Sequence, residues 1–307
     1  MDRIGIYLMG GLGNQIFQYL FALKLRERLG DRVSLFIDWY LGNQVLGREA
    51  SRPLLLHKVP GIKIPLHTLG LAAEEGISFP RIYRFEQEGG LRNLRNEQQQ
   101  NVLVIGYFQS FDALPPAPEL VGFLTGIVPK RHLAEPNVVA IHVRLGDYRY
   151  IPEVSPILPL SYYEQTLDLQ PPNSRFLVFA EDIVEAQEFL RPLARRYTFE
   201  FQPPADPVQD FQLLAGMSAI VGANSTFSYV AGLAARLRGA RVFFPAAEYW
   251  HGPRYCQEIE GKRELLDFGG FQLIPWGSDG SFSGSRNGIP SRQQVADLLI
   301  GAESRAR

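Results

Sequence analysis

Cysteine is nearly absent from this chain of 307 residues, where Cys256 stands alone. That excludes an internal disulfide framework and a zinc site built on thiolates. Histidine is scarce too: His57, His67, His132, His142 and His251 form no His-x-x-x-His pair, so spacing gives no metal site. Charge of one sign is lacking. The 31 Lys and Arg face 32 Asp and Glu, for a net −1 and a pI near 6.5. Such a balance does not displace the counterions of a polyanion, which argues against nonspecific nucleic-acid binding, although a local basic cluster for a small anion stays open. Long apolar runs are also missing. The first apolar stretch is a short strand that runs into Gly10-Gly11, unlike a leader's hydrophobic region. No later stretch reaches about 18 uninterrupted apolar residues. The expectation is a soluble, cytoplasmic protein without a transmembrane segment, with docking at a membrane surface left open.

What is present is a globular composition, 46% hydrophobic and 21% charged. Strand-like runs recur at Ile4–Met9, Val33–Asp38, Val102–Phe108, Val138–Arg144, Phe176–Ala180, Tyr197–Phe201, Ala219–Gly222 and Val242–Phe244. Helix-period segments lie between several of them, at Gln15–Leu29, Ile183–Arg195, Val208–Met217 and Phe227–Leu237. Alternating strands and helices predict an α/β protein with mainly parallel sheets. The stretch Leu46–Gln100 reads as irregular connections and insertions. The prolines of Pro115–Pro118 and the polar run Pro129–Pro136 mark a boundary. The expected division is a domain over 1–125, a second over 137–285, and a closing helix over 290–307 that packs back on the domains.

Three stretches carry candidate chemistry. In VVAIHVRLGDY (Val138–Tyr148) an apolar strand delivers His142 and Arg144 to the same side of a sheet mouth. An arginine fork there suits a diphosphate; the alternative is an Arg144–Asp147 ion pair that ties the turn. In VGANSTFSYVAGLAARL, Asn224-Ser225-Thr226 stands before an apolar helix. A hydroxyl there caps the helix, and the same backbone N–H groups and positive dipole end suit an anion. In FLVFAED, Glu181 reads as an acid favoured by a helix dipole, and Asp182 as an acceptor for a guanine N–H pair or a ribose hydroxyl.

The opening GGLGNQIFQ resembles the strand–turn–helix of a dinucleotide site, with Asp38 about where a ribose-binding acid is expected. Yet a fingerprint anchored on Gly11 and Gly13 wants a third glycine where Ile16 stands. Asn14 and Gln15 instead offer amide groups to whatever lies over the sheet.

Taken together, GGLGNQIFQY, GYFQSF (Gly106–Phe111), HVRLGDY (His142–Tyr148), FAED (Phe179–Asp182) and NSTFS (Asn224–Ser228) resemble, in order and spacing, the α-1,2-fucosyltransferases of glycosyltransferase family 11. The resemblance spans about Ile4 to Leu237. It implies a GT-B architecture of two Rossmann-like domains with an interdomain cleft. It further implies inverting transfer of L-fucose from GDP-β-L-fucose to the 2-hydroxyl of a galactose-type acceptor, with no cofactor and no required metal. By the same carry-over Arg144 pairs with the β-phosphate. Ser225, Thr226 and the backbone of Phe227, beside Asn224, receive the phosphates. His142 orients Arg144 or touches the nucleotide, Asp182 recognises the nucleoside, and Asn14 with Gly11 and Gly13 reaches toward the diphosphate or fucose. The proton acceptor is left among Asp147, Asp38, His142 and the diphosphate itself.

The chain departs from the family's pattern in three places. Leu145 replaces a second arginine, Tyr229-Val230 replaces a tryptophan-rich continuation, and Gly216-Met217-Ser218-Ala219 replaces a cysteine–histidine pattern. An α-1,6 or other linkage, an NAD-dependent oxidoreductase and a non-catalytic sugar-nucleotide-binding module are the alternatives. Tyr249, Trp250 and His251 read as ordinary packing, with sugar stacking as the alternative.

Overall fold

The computed structural model describes residues 3–45, 52–85, 100–128, 137–203, 205–250 and 259–274. The Pro129–Pro136 run, His251, Cys256 and the expected closing helix at 290–307 lie outside the described residues. The chain divides into two compact units, Met1–Phe123 and Leu124–Arg307.

In the first unit β1 (Ile4–Tyr7), β2 (Val33–Phe36), β3 (Leu66–His67), β4 (Arg81–Phe85) and β5 (Val102–Gly106) form a sheet in the order β3-β2-β1-β5-β4. Every pairing is parallel. β2 is buried at all four positions, the unalternating pattern of a strand covered on both faces. β1 needs Gly5, because a Cβ there would lie 2.7 Å from the Phe36 ring. Around the sheet run α1 (Leu12–Leu29), α2 (Asp38–Val45) and α3 (Leu69–Glu74). The first half of α1 is buried almost throughout, with Gln15, Gln18 and Tyr19 inside beside Ile16, Phe17 and Leu20. α4 (Ala117–Gly126) straddles the division between the units.

The second unit carries β6 (Val138–Val143), β7 (Arg175–Ala180), β8 (Phe199–Phe201), β9 (Ala219–Val221), β10 (Arg241–Pro245) and β11 (Gln272–Ile274). They lie in the order β11-β10-β9-β6-β7-β8, again wholly parallel. Counted within the unit, this is the 3-2-1-4-5-6 order of the Rossmann fold. Its helices are α5 (Leu160–Asp168), α6 (Ile183–Leu190), α7 (Pro207–Ala215), α8 (Thr226–Arg236) and α9 (Ile259–Gly269). Val139, Ile141, Val178 and Val221 from the strands pack with Tyr163, Leu190 and Leu193 in its core. The expected pair of Rossmann-like α/β units is therefore present.

Two expectations need correction. The Leu46–Gln100 stretch contributes α3 and two strands, β3 and the edge strand β4, rather than irregular chain alone. Asp38 does not end a strand. It opens α2, and both its carboxylate oxygens accept from the Leu69 N–H at 3.0 Å, fastening the start of α3.

Candidate functional site

In the second sheet the chain turns away in opposite directions after β6 and β9, which are neighbours. The crevice beyond such a switch point is where parallel sheets receive ligands. β6 ends at Val143, so Arg144 stands at this mouth, and β9 delivers Gly222 to Ser225 and then α8 beside it. His142 fastens the two: its Nδ1 shares a hydrogen bond with the Ser228 hydroxyl, whose oxygen accepts from the Ala223 N–H at 3.2 Å. The imidazole also lies against the Phe227 ring, centroids 5.3 Å apart. Burial first, and the Arg144 charge second, lower its pKa to about 3. His142 is therefore neutral at physiological pH, a tether with little basicity.

Arg144 is held by two carboxylates. Nη1 donates to Glu181 Oε2 at 2.6 Å and Nη2 pairs with Asp147. Its guanidinium carbon sits 5.1 Å from the centre of the Tyr148 ring. The ion pair with Asp147 read from the sequence is thus present, and a second acid joins it. Glu181 faces the arginine, whereas Asp182 is the N-cap of α6 and accepts from the Glu185 N–H at 3.0 Å. The loop is pinned further by Arg149, which pairs with Glu185. Leu145, beside Arg144 in sequence, packs in the core.

Ser225 caps α8, its hydroxyl accepting from the Phe227 N–H at 3.3 Å, and Thr226 is the first residue of that helix. Asn224 is buried; its amide nitrogen donates to the carbonyls of Pro156 at 2.8 Å and Tyr249 at 3.1 Å. Its buried Oδ1 has no hydrogen-bond partner among the described residues. Tyr148, which the sequence reading gave no role, donates from its hydroxyl to the Asn224 carbonyl at 3.0 Å. It thereby links the Arg144 loop to the start of α8. Its place at the close of HVRLGDY was the available signal. Trp250 is buried against Tyr229 and Phe244, in keeping with packing.

The first sheet has its own switch point, between β1 and β5. Gly10 adopts φ +79, which a side chain resists, and leads to Gly11, the residue before α1. Gly11 has open space where a Cβ would stand. Gly13 is buried inside α1. Asn14 Oδ1 accepts from Gln109 Nε2 at 3.0 Å, so the GGLGNQ and GYFQSF motifs meet across the mouth. Between Tyr107 and Gln109, Phe108 holds φ +52 and stacks on Phe21 at 4.1 Å. Gln15 was expected to face a ligand, yet its amide is fully engaged inside. It donates to the carbonyls of Gly10 and Pro53 and accepts from the N–H groups of Leu55 and Leu56. Gln18 likewise ties the end of β1 to β5, through Met9 N–H and the Gly106 carbonyl. Ile16 is wholly buried, and no glycine is missing there.

Among the described residues no three His, Cys, Asp or Glu side chains gather as a metal-ligand set, and no helix is long and apolar enough to cross a membrane. The fold and these two mouths define a protein of two parallel α/β units, the second in Rossmann strand order. No family model matches the chain. It is similar to the O-antigen biosynthesis glycosyltransferase WbnK of Escherichia coli, 22% identical over 268 residues, which cover 72% of this chain and 87% of that protein. Among solved structures, fucosyltransferase NodZ from Bradyrhizobium aligns at 13% identity and a TM-score of 0.42, covering 76% of this chain and 93% of that one. A glycosyltransferase of family 9 from Veillonella parvula aligns at 11% identity and a TM-score of 0.41, covering 98% of each chain.

Proposed function

We propose that this chain is a glycosyltransferase that transfers L-fucose from GDP-β-L-fucose to the 2-hydroxyl of a galactose-type acceptor, with inversion and without a required metal. One observation carries the reading. Arg144 stands at the switch point of a sheet in Rossmann order, beside a helix start capped by Ser225. A fixed fork and a row of backbone N–H groups are what a departing diphosphate needs when no metal neutralises it. The family 11 resemblance of the motifs supports the donor, and the similarity to a glycosyltransferase of O-antigen biosynthesis supports the reaction class.

In this mechanism Arg144 draws charge from the β-phosphate as the glycosidic bond lengthens. Ser225, Thr226 and the Phe227 N–H receive the phosphates, with Asn224 shaping the loop that delivers them. Asp182 keeps its helix capped while its exposed face reaches the nucleoside. Gly11, Gly13 and Asn14 serve the sugar side. His142, held neutral, secures Arg144's strand to α8. The acceptor proton passes to the diphosphate, with Asp147 as the alternative acceptor. The enzyme acts in the cytoplasm on surface-glycan precursors. Transfer from GDP-fucose to a panel of β-galactosides, with linkage analysis, tests the reading. An α-1,2 product is expected. An α-1,6 product overturns the linkage, tight GDP-fucose binding without transfer favours a binding module, and stabilisation by NAD but not GDP favours an oxidoreductase.

A further inference from the structure

The guanidinium on which the proposed reaction depends already has both terminal nitrogens engaged, Nη1 by Glu181 and Nη2 by Asp147. The acids lie toward solvent. The Arg144 side chain is 16% exposed, against 48% for Asp147 and 55% for Glu181. An anion arriving from solvent therefore meets two carboxylates before it meets the arginine.

We infer that Glu181 is a displaceable counter-ion. It holds Arg144 until a diphosphate takes Nη1, and it returns to Nη1 as the diphosphate product leaves. The inference rests on the reading that Arg144 grips the diphosphate. Glu181, not Asp147, is the mobile partner for three reasons. Asp147 belongs to the same turn as Arg144, three residues on, whereas Glu181 follows β7, a separate strand. The loop leaves room for Glu181 at Gly146, where φ is +30 and a Cβ would come within 3.3 Å of Glu181 Oε2. The loop also keeps its anchor when Glu181 departs, because Glu185 pairs with Arg149 and lies 3.4 Å from the Gly146 N–H. Glu181 is thus a positioning residue that acts through Arg144.

Calorimetric titration of GDP, with stopped-flow dissociation, compares the wild type with Glu181→Gln and Glu181→Ala. Loss of a half-exposed competing ion pair should tighten GDP by roughly 5-fold and slow its dissociation to match. Damage to the fold would weaken binding, so tightening is a readout that a merely structural role does not give. A wild type that binds GDP with variants that bind equally or more weakly overturns this inference alone. A wild type that binds no GDP overturns the diphosphate reading and this inference with it.

Discussion

Both sheets are parallel with a switch point beside their first strand, and the two mouths differ in chemistry. At the second, Arg144, Asp147 and Glu181 bring charge to the switch point beside a capped helix start. At the first, Gly10, Gly11, Asn14 and Gln109 offer backbone and amide groups, with the Tyr40 hydroxyl donating to the Gly10 carbonyl at 2.9 Å. A fixed cation suits an anionic diphosphate, and a neutral amide pair suits hydroxyl groups, which both donate and accept. The lesson is that a switch point fixes where a ligand lies, while a few side chains at the strand ends fix what it is.

The sharpest way to break the comparison is at Arg144. Arg144→Ala should lower fucose transfer at least about 100-fold with the fold intact, the cost of removing a transition-state donor. Arg144→Lys should fail badly as well, since a point charge does not replace the fork. Transfer assays with circular dichroism as the control decide both. At the other mouth, Gln15→Ala leaves the buried Leu55 and Leu56 N–H groups without their acceptor and should cost about 2–4 kcal/mol in urea denaturation. Asn14→Ala should leave stability nearly unchanged and reduce transfer.

The tether behind the charged mouth has a pH signature. The His142 pKa falls from 6.5 to about 3 on folding, so between those values the unfolded chain binds the extra proton. Stability is full above pH 6.5 and declines as the pH drops toward 3, by up to about 1.4 kcal/mol per pH unit. His142→Asn should flatten that slope in denaturation curves taken between pH 5 and 7. Smaller again is a contrast of two adjacent glycines. Gly10→Ala should destabilise by about 1–2 kcal/mol, because it forces a side chain into positive φ and against the Asn14 amide. Gly11→Ala, with open space and ordinary φ, should be near neutral in the same melt. Asp182→Ala should cost about 1 kcal/mol through loss of the α6 cap.

The charged mouth was more legible in the sequence than the neutral one. VVAIHV is an unbroken buried strand, so its end and the Arg144 that follows can be placed from pattern alone. By contrast β3 has two residues and β4 reads Arg-Ile-Tyr-Arg-Phe, an edge strand whose charges resemble those of a loop. In Glu181-Asp182 the two acids are adjacent, and a shift of one residue in the helix start exchanges cap and ion-pair roles. Gln15 looks like a ligand-facing polar residue of a helix because sequence periodicity does not report that the first half of α1 is enclosed. Gln18 is enclosed with it, and its partners, Met9 and Gly106, are set by tertiary packing alone.

The central claim is that the mouth at Arg144 is the diphosphate site. Calorimetric titration of GDP into the wild type and into Arg144→Ala, at one fixed salt concentration, tests it most directly. The account predicts saturable binding to the wild type and affinity at least tenfold weaker in the variant. Equal affinity in a folded variant, or no GDP binding to the wild type, would contradict it.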